Sequence, residues 1–447
     1  MELYFFISIA IILFLFFLWF AVVSYIEKEK LAIQRSIIVG LISSTLFIAL
    51  TYLAQTIQFY LAISILSTIV TSAFLFFLPK KKTILKNEDS TYRIDERDTM
   101  FSRKEIMHSA EKTEAYYLNN PDKKELDNEW KQKPGLLDPL SNMYNRMGFL
   151  AADASFFSIG QLKHRVYKTP SKQKEATEPD EITRFIKNWS KKLGALDVGI
   201  CELKPQHYYS HRGRGTEYGK AVKIKHKYAI AFTVEMNKEY LAMGPAAPTV
   251  MESAQQYLNS GTIAVQVSNF LSKLGYDSRA HIDGNYEILC PLVARDAGLG
   301  EIGRMGLLMT PKLGPRVRIS VVTTNIPLEI DSRVIDNTVH NFCNICKKCA
   351  INCPGNAIST EPKSIIHRVK RWQINQEKCF SYWCTVGTDC GRCISVCPYS
   401  HPNNLLHNLV RWGIRKSWLF SPLALKLDDF FYGKKPKPIK TPDWLNI

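Results

Sequence analysis

The sequence predicts an α+β protein in which three transmembrane helices precede a mixed helix-and-strand domain and a small cysteine-rich domain. Three observations indicate this fold class. Long apolar tracts dominate the first 80 residues. Segments rich in β-branched and aromatic residues then occur among segments of helical periodicity. Nine of the eleven cysteines lie between residues 336 and 400. At 447 residues, the chain is long enough for these separate parts.

The first 80 residues contain apolar tracts at about 3–25, 36–54 and 58–78. No charged residue occurs between Arg35 and Lys80. A helix of about 20 apolar residues crosses the hydrocarbon of a bilayer, so each tract can span it. A cleaved signal peptide is a weaker interpretation of the first tract, because no basic region precedes it and no small-residue cleavage site follows it. We therefore expect a membrane anchor over residues 1–80.

Basic residues in the loops predict the orientation of the anchor. Lys28, Lys30 and Arg35 lie between the first two tracts, and lysines occupy positions 80 to 82 after the third. The intervening loop, LAQTIQF, has neither Lys nor Arg. Basic loops stay in the cytoplasm, and no twin-arginine leader for exporting a folded protein is present. We therefore expect a multi-pass protein of the cell membrane with everything after Lys82 on the cytoplasmic side.

The formal net charge of +17 suggests an anionic partner. A domain held beside an anionic leaflet gains about 1 kcal/mol for each Lys or Arg close to the surface, so membrane lipid is a sufficient explanation. Nucleic acid is the rival partner, which charge alone does not exclude. The membrane anchor favours lipid, and no nucleic acid is expected.

Composition divides the rest of the chain into four regions. Residues 81–150 are polar and highly charged, which indicates a juxtamembrane linker and an N-terminal arm. Residues 151–335 contain the strand-like segments KYAIAFTVEM and RVRISVVTT and a helical segment that stops at Gly275, and are expected to form an α+β domain with helices over a sheet. Residues 336–400 form the cysteine-rich domain. Residues 401–447 form a tail whose apolar stretch is either amphipathic or interfacial.

The cysteine spacing indicates a specific metal chemistry. The string CNICKKCAINCP has the pattern C-x2-C-x2-C-x3-C-P, the bacterial ferredoxin spacing for a [4Fe–4S] cluster. A second set follows with its first cysteine displaced. The fourth cysteine of each set ligates the other cluster. We therefore expect two clusters, one on Cys343, Cys346, Cys349 and Cys397 and the other on Cys353, Cys379, Cys390 and Cys393.

Other uses of the cysteines are less consistent with the pattern. Zinc sites usually take their cysteines from closely spaced pairs. The cysteines here occur in triplets that end in Cys-Pro, which does not fit a zinc site well. Disulfides are rare in a cytosolic compartment. Cys384 falls inside the gap of the second set and leaves the choice of ligand open there. Cys201 and Cys290 are expected to be small buried hydrophobic residues.

Several further strings carry a resemblance to a known family. They are RIDERDTMFSR (93–103), HYYSHRGRG (207–215), ESAQQY (252–257), HIDGNYEILCPLVARDAGLGEIGRMGLLMTPKLGPRVR (281–318) and CFSYW (379–383). With the displaced cysteine motif, they make residues 90 to 400 resemble the reductive dehalogenases, and more distantly epoxyqueuosine reductase. The resemblance implies an oxidoreductase with a cobalamin-binding domain related to the nitroreductase fold, followed by a two-cluster ferredoxin domain.

Within this resemblance, the AGLGEIGRMG loop is expected to contact the corrinoid, because glycines permit close backbone approach. A nicotinamide fingerprint is not indicated, since the acidic residue about 20 positions further on in a βαβ unit is missing. No Asp-x-His-x-x-Gly motif occurs, so the cobalt is expected to be base-off. Arg214 is a further candidate in the YSHRGRG loop. The expected cofactor contacts are Gly298, Gly300, Gly303, Arg304, Gly306, Tyr209 and His211.

The resemblance also implies a tyrosine acid with a cationic neighbour. We assign these roles to Tyr257 and to Arg316, with Lys312 as the alternative cation, because a nearby guanidinium lowers the pKa of a phenol. The expected substrate pocket comprises Asp283, Asn285 and Trp383. The charged residues of the 93–103 string, Arg97, Asp98 and Arg103, are equally consistent with a salt-bridged docking arm.

Two features depart from the family. Respiratory members are usually exported and use a separate anchor protein, whereas here the anchor is fused and the domain is expected to stay inside. Glu27 and Glu29 resemble an acidic pair of such anchors. The electron donor is expected to be quinol or a cytoplasmic ferredoxin or flavodoxin. The function expected is reductive removal of halide from an organohalide. The alternatives are an epoxyqueuosine-reductase-like enzyme that uses Asp283 as its proton donor, and a non-catalytic, membrane-tethered electron-transfer protein.

Overall fold

The computed structural model describes residues 2–77, 91–333 and 336–445. The lysines at 80 to 82, on which the predicted orientation partly depends, lie outside the described residues. The chain divides into two compact units. One unites Met1–Ile84 with His401–Pro436, and the other unites Leu85–Ser400 with Lys437–Ile447. The expected tail is therefore not a separate region, because most of it belongs to the same unit as the anchor.

The anchor consists of α1 (Glu2–Ile26), α2 (Lys30–Ala49) and α3 (Gln55–Phe77). All three predicted apolar helices are confirmed, and each is long and apolar enough to cross a membrane. The buried residues of α2 are small and recur every four positions, at Ala32, Ser36, Gly40 and Ser44. A Cβ on Gly40 would lie 2.7 Å from the Cβ of Phe17 in α1. Small residues at this spacing let two membrane helices approach closely.

The N-terminal arm folds into α4 (Met100–Glu105), α5 (Ala110–Asn119) and α6 (Pro121–Lys131). Arg103 is fully buried and pairs with Asp127, which also accepts hydrogen bonds from Tyr117 Oη at 2.8 Å and Trp130 Nε1 at 2.9 Å. Arg103 also contacts Glu377 of the cysteine-rich segment at 2.8 Å. The arm is therefore fixed through buried ion pairs, as a docking arm requires.

The central domain contains an antiparallel sheet and five helices. Its strands are β1 (Asp197–Glu202), β2 (Tyr228–Glu235), β3 (Ser278–His281), β4 (Glu301–Ile302), β5 (Leu308–Met309) and β6 (Val317–Thr324). Its helices are α7 (Arg146–Leu162), α8 (Pro179–Lys192), α9 (Lys238–Ala242), α10 (Ala247–Lys273) and α11 (Cys290–Asp296). The main sheet has the order β1-β2-β6-β3, and β4 pairs with β5 in a separate hairpin.

Helices cover both faces of this sheet. Ile230 and Phe232 of β2 belong to a core that includes residues of α8 and α10. Their neighbours Ala229 and Ala231 point to the other face, where they pack in a core with Val293 of α11. Because successive side chains of a strand alternate between faces, two buried faces explain why the sequence of β2 is an almost unbroken apolar run. The predicted mixed helix-and-sheet domain is confirmed.

The cysteine-rich segment contains α12 (Asn337–Cys346), α13 (Lys348–Ile351), α14 (Gln376–Val386) and α15 (Arg392–Ser395), with a hairpin of β7 (Ser364–Ile366) and β8 (Val369–Arg371). Lys347 separates α12 from α13 in the left-handed conformation, with φ of 56°. This turn places the cysteines before and after it on one tight loop.

The last helices, α16 (Leu405–Lys416) and α17 (Phe420–Tyr432), pack on the anchor. The Phe431 ring lies 4.6 Å from that of Phe20 in α1, and the Trp412 ring lies 5.5 Å from that of Phe76 in α3. Part of the apolar surface of the expected tail therefore packs on the membrane helices, whereas Leu423, Leu427 and Phe430 stay exposed.

Candidate functional site

The first predicted set of cysteines lies together in space. Burial raises the pKa of the Cys397 thiol well above its ordinary value, and the neighbouring thiols of Cys343, Cys346 and Cys349 raise it further. Electrostatic effects of this kind require proximity. Cys397 is therefore a neighbour of the three cysteines that lie about 50 residues before it in the chain.

The second predicted set is grouped in the same way. The pKa of Cys379 is raised to about 12, first by burial and then by the neighbouring thiols of Cys353 and Cys390. The pKa of Cys393 is raised well above its ordinary value by burial and by these same three cysteines, with a further effect of Cys349 from the first set. The two sets are therefore separate but adjacent.

The spacing between the sulfurs suits clusters rather than single ions. Within the described ranges, no three cysteine sulfurs lie within 4.8 Å of one another. Sulfur ligands of one tetrahedral zinc ion, each about 2.3 Å from the metal, would lie only about 3.8 Å apart. None of the eleven cysteines forms a disulfide. The donors present therefore fit iron–sulfur clusters.

Three cysteines lie outside both sets. Cys384 is 1% exposed and packs in an apolar cluster with Met100, Trp130 and Phe380. Burial raises its pKa to about 11, and its charged neighbours are lysines rather than other cysteines. Cys201 and Cys290 are buried in the core between the sheet and α11, as expected. Cys384 is therefore placed as a core residue.

Tyr257 of α10 lies against β6 beneath a guanidinium. The guanidinium carbon of Arg318 is 4.5 Å from the centre of the Tyr257 ring. Arg318 is held there by Asp389, with Nη2 and Oδ2 2.9 Å apart, and by Ser253. Ser253 also donates a hydrogen bond to Asp389. This group of four side chains brings together α10, β6 and the loop before Cys390.

The pKa of Tyr257 results from opposing effects. Arg318 lowers it, but burial and the carboxylates of Asp283 and Asp389 together raise it by more, so that it lies above the ordinary value of a phenol. Tyr257 therefore keeps its proton at neutral pH. Arg318 favours the phenolate that would form when the proton is transferred.

The expected cationic neighbours of Tyr257 are not found there. Arg316 donates hydrogen bonds to the carbonyl oxygens of Ser400 at 3.0 Å and Met236 at 2.6 Å, and pairs with Glu235 at 2.7 Å. Lys312 lies 3.8 Å from Asp197 and is half exposed. The assignment of Arg316 or Lys312 as the partner of Tyr257 is thus wrong, because Arg316 precedes β6 and its side chain is held by other residues.

Two of the expected pocket residues differ in position. Burial is the main cause of the raised pKa of Tyr286, and Asp283 raises it further. Asp283 also raises the pKa of Tyr257, so its carboxylate lies near both phenols. Asn285, by contrast, accepts hydrogen bonds from Arg212 at 2.8 Å and Arg279 at 2.7 Å, and donates one to a backbone carbonyl. Asn285 therefore organises its own loop, and its expected role in the pocket is not supported by its contacts.

A cavity of about 130 Å³ joins the Tyr257 group to the second cysteine set. Arg318 and Asp389 line one part of it, and Trp383 lines another. The remaining walls include the sulfur-bearing residues Cys353, Cys379, Cys390 and Cys393. Trp383 thus lies in a cavity wall next to the place where the second cluster would be bound.

A larger cavity of about 370 Å³ lies beside the glycine-rich loop. Gly303 and Gly306 line it, together with the cationic residues Arg295, Arg333 and Lys363. Gly306 has φ of +78°, a conformation that side chains rarely adopt. Arg295 and Arg333 are themselves paired with Asp296 and Glu301. The lining therefore offers an anionic group the backbone of the glycines and the positive charge of Lys363.

Other residues of this loop have structural roles. A Cβ on Gly300 would lie 2.2 Å from the carbonyl oxygen of Met309, so Gly300 permits the β4–β5 hairpin. Gly298 forms the turn that follows α11. Arg304 is buried and donates hydrogen bonds to the carbonyl oxygens of Cys343 at 3.0 Å, Ser359 at 2.7 Å and Glu361 at 2.8 Å. The contacts of Arg304 thus support the cysteine-rich segment, contrary to the expected cofactor contact.

The YSHRGRG loop is held mainly by the arm. His211 lies 3.2 Å from Asp95. Arg214 lies 3.3 Å from Glu105, with its guanidinium over the Phe101 ring. Tyr209 is half-buried in the core beside α11. Arg214 lowers the pKa of Tyr257 and therefore lies near it, whereas His211 contacts the arm.

Sequence reasoning missed Arg318, Asp389, Ser253 and Tyr286. Arg318 could have been weighed against Arg316, since both occur in TPKLGPRVR and only one lies within the strand. Asp389 directly precedes Cys390, which the spacing predicts to be a cluster ligand. An acidic residue next to a predicted metal ligand could have indicated that Asp389 has a role in the site. No spacing pattern in the sequence indicates a functional role for Ser253 or Tyr286.

Comparisons with known proteins agree with this geometry. Residues 342–401 match a family model described as a 4Fe-4S dicluster domain. The chain is 30% identical over 297 residues to the tetrachloroethene reductive dehalogenase of Sulfurospirillum multivorans, covering 58% of this chain and 59% of that protein. A catabolic reductive dehalogenase solved in complex with 3-bromo-4-hydroxybenzoic acid is similar with a TM-score of 0.58 at 26% identity, over 64% of this chain and 43% of that chain.

A shorter match, of 33% identity over 90 residues and 20% of each chain, is to the epoxyqueuosine reductase of Staphylococcus aureus. The chain covers less than two thirds of the length of the reductive dehalogenases that it matches. These comparisons confirm that the chain contains an iron–sulfur cluster domain and that it resembles the reductive dehalogenases in sequence and in fold.

Proposed function

We propose that the protein is a membrane-anchored, corrinoid-dependent reductive dehalogenase. Its reaction is R–X plus two electrons and one proton, giving R–H and halide. The observation that carries this proposal is the Tyr257–Arg318 pair, which shares a cavity with the second cysteine set through Arg318. An acid and an electron source thus meet at one place.

Electrons reach this place through two [4Fe–4S] clusters. Cys343, Cys346, Cys349 and Cys397 hold one of them. Cys353, Cys379, Cys390 and Cys393 hold the other, which adjoins the cavity that Arg318 lines. The adjacency of the two cysteine sets supports electron transfer from the first cluster to the second.

Tyr257 is the proton donor. Burial and nearby carboxylates keep its phenol protonated, so the proton is available at neutral pH. Arg318 stabilises the phenolate that remains after transfer, and general acid catalysis of this kind contributes about 10²–10⁴-fold. Asp389 positions Arg318 through the 2.9 Å ion pair.

A base-off corrinoid is held by the central domain, which we infer to be related to the nitroreductase fold. When bound, it supplies a low-valent cobalt that delivers electrons to the carbon–halogen bond. Gly303 and Gly306, which line the larger cavity, would let its nucleotide tail approach their backbones, and Lys363 would offer positive charge to the tail phosphate. Asp283 and Tyr286, whose electrostatic effects link them to Tyr257, are the proposed substrate-side residues.

The proposed location is the cell membrane, with the catalytic unit on the cytoplasmic side and membrane lipid around the three anchor helices. The proposed electron donor is quinol or a cytoplasmic ferredoxin or flavodoxin. Lys28, in the loop before α2, and Lys30 and Arg35, in the first turns of α2, support this orientation. Protease accessibility of the catalytic unit in sealed inverted vesicles tests it.

Anaerobic reconstitution of the full chain with iron, sulfide and corrinoid tests the proposed activity. Halide release is measured over a panel of aryl, vinyl and alkyl halides with a reduced low-potential dye as donor. Tyr257→Phe should lose activity, and Asp283→Asn should retain more activity than Tyr257→Phe. The reverse order, with turnover of an epoxyqueuosine-containing tRNA stem loop, would favour the epoxyqueuosine-reductase alternative. Iron without corrinoid binding would leave only an electron carrier.

A further inference from the structure

Outside the cysteine-rich segment, three metal-binding side chains meet in the unit that contains the anchor. They are Glu27, directly after α1, His401, and His407 in the first turn of α16. Their donor atoms all lie within 4.8 Å of one another. In the part of the chain that the structure describes, no other three His, Cys, Asp or Glu side chains bring donor atoms so close.

We propose that Glu27, His401 and His407 bind a zinc ion. His407 Nε2 lies 3.0 Å from Glu27 Oε1 and 3.1 Å from Oε2. Ligands about 2.0–2.1 Å from a tetrahedral zinc ion are about 3.3 Å apart, so the present separation needs little change. Two imidazoles and one carboxylate favour zinc over magnesium or calcium, which prefer oxygen ligands alone.

The environment of His401 supplies an independent argument. Its Nε2 lies 2.8 Å from Asp428 Oδ1, and because an ionised carboxylate only accepts, Nε2 donates the hydrogen bond. This fixes the tautomer and leaves Nδ1 as a lone-pair donor. That Nδ1 is buried and has no hydrogen-bond partner. A histidine that donates one ring N–H to a carboxylate and directs the other nitrogen to a metal is the usual arrangement of a metal ligand.

Glu27 is supported in the same way. Asn404 donates a hydrogen bond from Nδ2 to Glu27 Oε1, while Asn404 Oδ1 accepts one from the backbone N–H of His407 at 3.1 Å. The side chains of Glu27 and His407 are 4% and 6% exposed. The imidazoles of His401 and His407 stack with their planes 4° apart and their centres separated by 4.4 Å. The ligands are thus oriented before any ion binds.

The ion would act as a structural clamp. It would join the end of the first membrane helix to α16 and to His401, which follows the cluster cysteine Cys397 by four residues in sequence. Because the binding free energy of a structural metal contributes to folding, the clamp would fix α16 on the anchor. The three protein ligands leave one zinc position for water.

The test uses the full-length holoprotein, purified in detergent and freed of loosely bound metal by a weak chelator. We expect about one zinc per chain, and X-ray absorption at the zinc edge should show nitrogen and oxygen neighbours at about 2.0–2.1 Å without sulfur at 2.3 Å. His407→Gln and Glu27→Gln should each lower the zinc content at least tenfold while the iron content is unchanged. His108→Gln, which replaces an exposed histidine, is the matched control and should keep the zinc.

Iron content and the cluster absorbance report on the unit that holds the cysteines, and the helical circular dichroism of each variant reports on the unit that holds Glu27 and His407. Loss of zinc with both signals unchanged therefore identifies the site. Three results would overturn the proposal. The first is that the wild-type protein contains no zinc. The second is that the zinc has sulfur neighbours, which would place it in a cysteine site. The third is that both ligand variants retain their zinc. A variant that loses zinc should also show faster amide hydrogen exchange in α16, with the arm helices unaffected.

Discussion

The guanidinium carbon of Arg318 lies 4.5 Å from the centre of the Tyr257 ring, and Asp389 holds Arg318 from its other side at 2.9 Å. The three residues come from α10, β6 and the loop before Cys390, so the proposed acid is assembled from distant parts of the sequence. Because Asp389 directly precedes Cys390, a proposed ligand of the second cluster, binding of that cluster would be structurally linked to the position of the proposed acid.

Removal of the phenol should abolish most of the activity. Tyr257→Phe keeps the ring beneath Arg318 but has no proton to donate, so we expect halide release to fall by about 10²–10⁴-fold. Iron and corrinoid contents should be unchanged. Tyr144→Phe, at a more exposed tyrosine, is the control and should be fully active. Full activity in Tyr257→Phe would remove Tyr257 from the mechanism.

Replacement of Arg318 should change the pH profile. Arg318 lowers the pKa of Tyr257, so Arg318→Gln should raise that pKa and keep the phenol protonated to higher pH. The alkaline limb of kcat/KM is therefore expected to move to higher pH, while the maximum falls because the phenolate is less stabilised. Arg184→Gln, at an exposed helix position, should leave the profile unaltered. An alkaline limb that moves to lower pH would contradict this role.

Cys384 and Cys379 should differ in their effect on iron content. Cys384→Ala removes a thiol from an apolar cluster, so the protein should retain about eight irons, as two four-iron clusters require. Cys379→Ala removes a proposed ligand and should reduce the iron by about half. Iron analysis and the electron paramagnetic resonance spectrum of the reduced protein measure both. Equal iron loss in the two variants would make Cys384 a ligand.

The buried ion pair of the arm should contribute strongly to stability. Asp127→Ala leaves Arg103 buried with only Glu377 as a charged partner, and breaking a buried pair costs about 3–5 kcal/mol. The thermal unfolding midpoint should therefore fall clearly. Asp180→Ala breaks the exposed pair with Arg184, worth about 0.5 kcal/mol or less, and should hardly change it. Equal midpoints for both variants would show that Arg103 finds adequate compensation elsewhere.

The parts predicted well from the sequence are those in which local pattern determines structure. The three anchor helices follow from apolar tracts longer than a bilayer needs, and α10 ends at Lys273, next to the predicted stop at Gly275. The grouping of Cys397 with Cys343 agrees with the spacing, because ferredoxin motifs exchange their fourth ligands.

The errors concern the direction of side chains. Arg316 and Arg318 are two positions apart in one string, and only the fold reveals that Arg316 pairs with Glu235 while Arg318 faces Tyr257. Arg304 was expected at the cofactor because of its glycine neighbours, but its hydrogen bonds go to the cysteine-rich segment. The packing of α16 and α17 on the anchor depends on contacts across almost the whole chain, which no local pattern encodes.

Cobalt and iron analysis of the reconstituted full-length protein tests whether a corrinoid and two iron–sulfur clusters are bound together. We expect about one cobalt for every eight irons, with corrin absorbance that remains after gel filtration. Iron at that level without bound cobalt, under conditions in which a known corrinoid enzyme is reconstituted, would contradict the proposed dehalogenase.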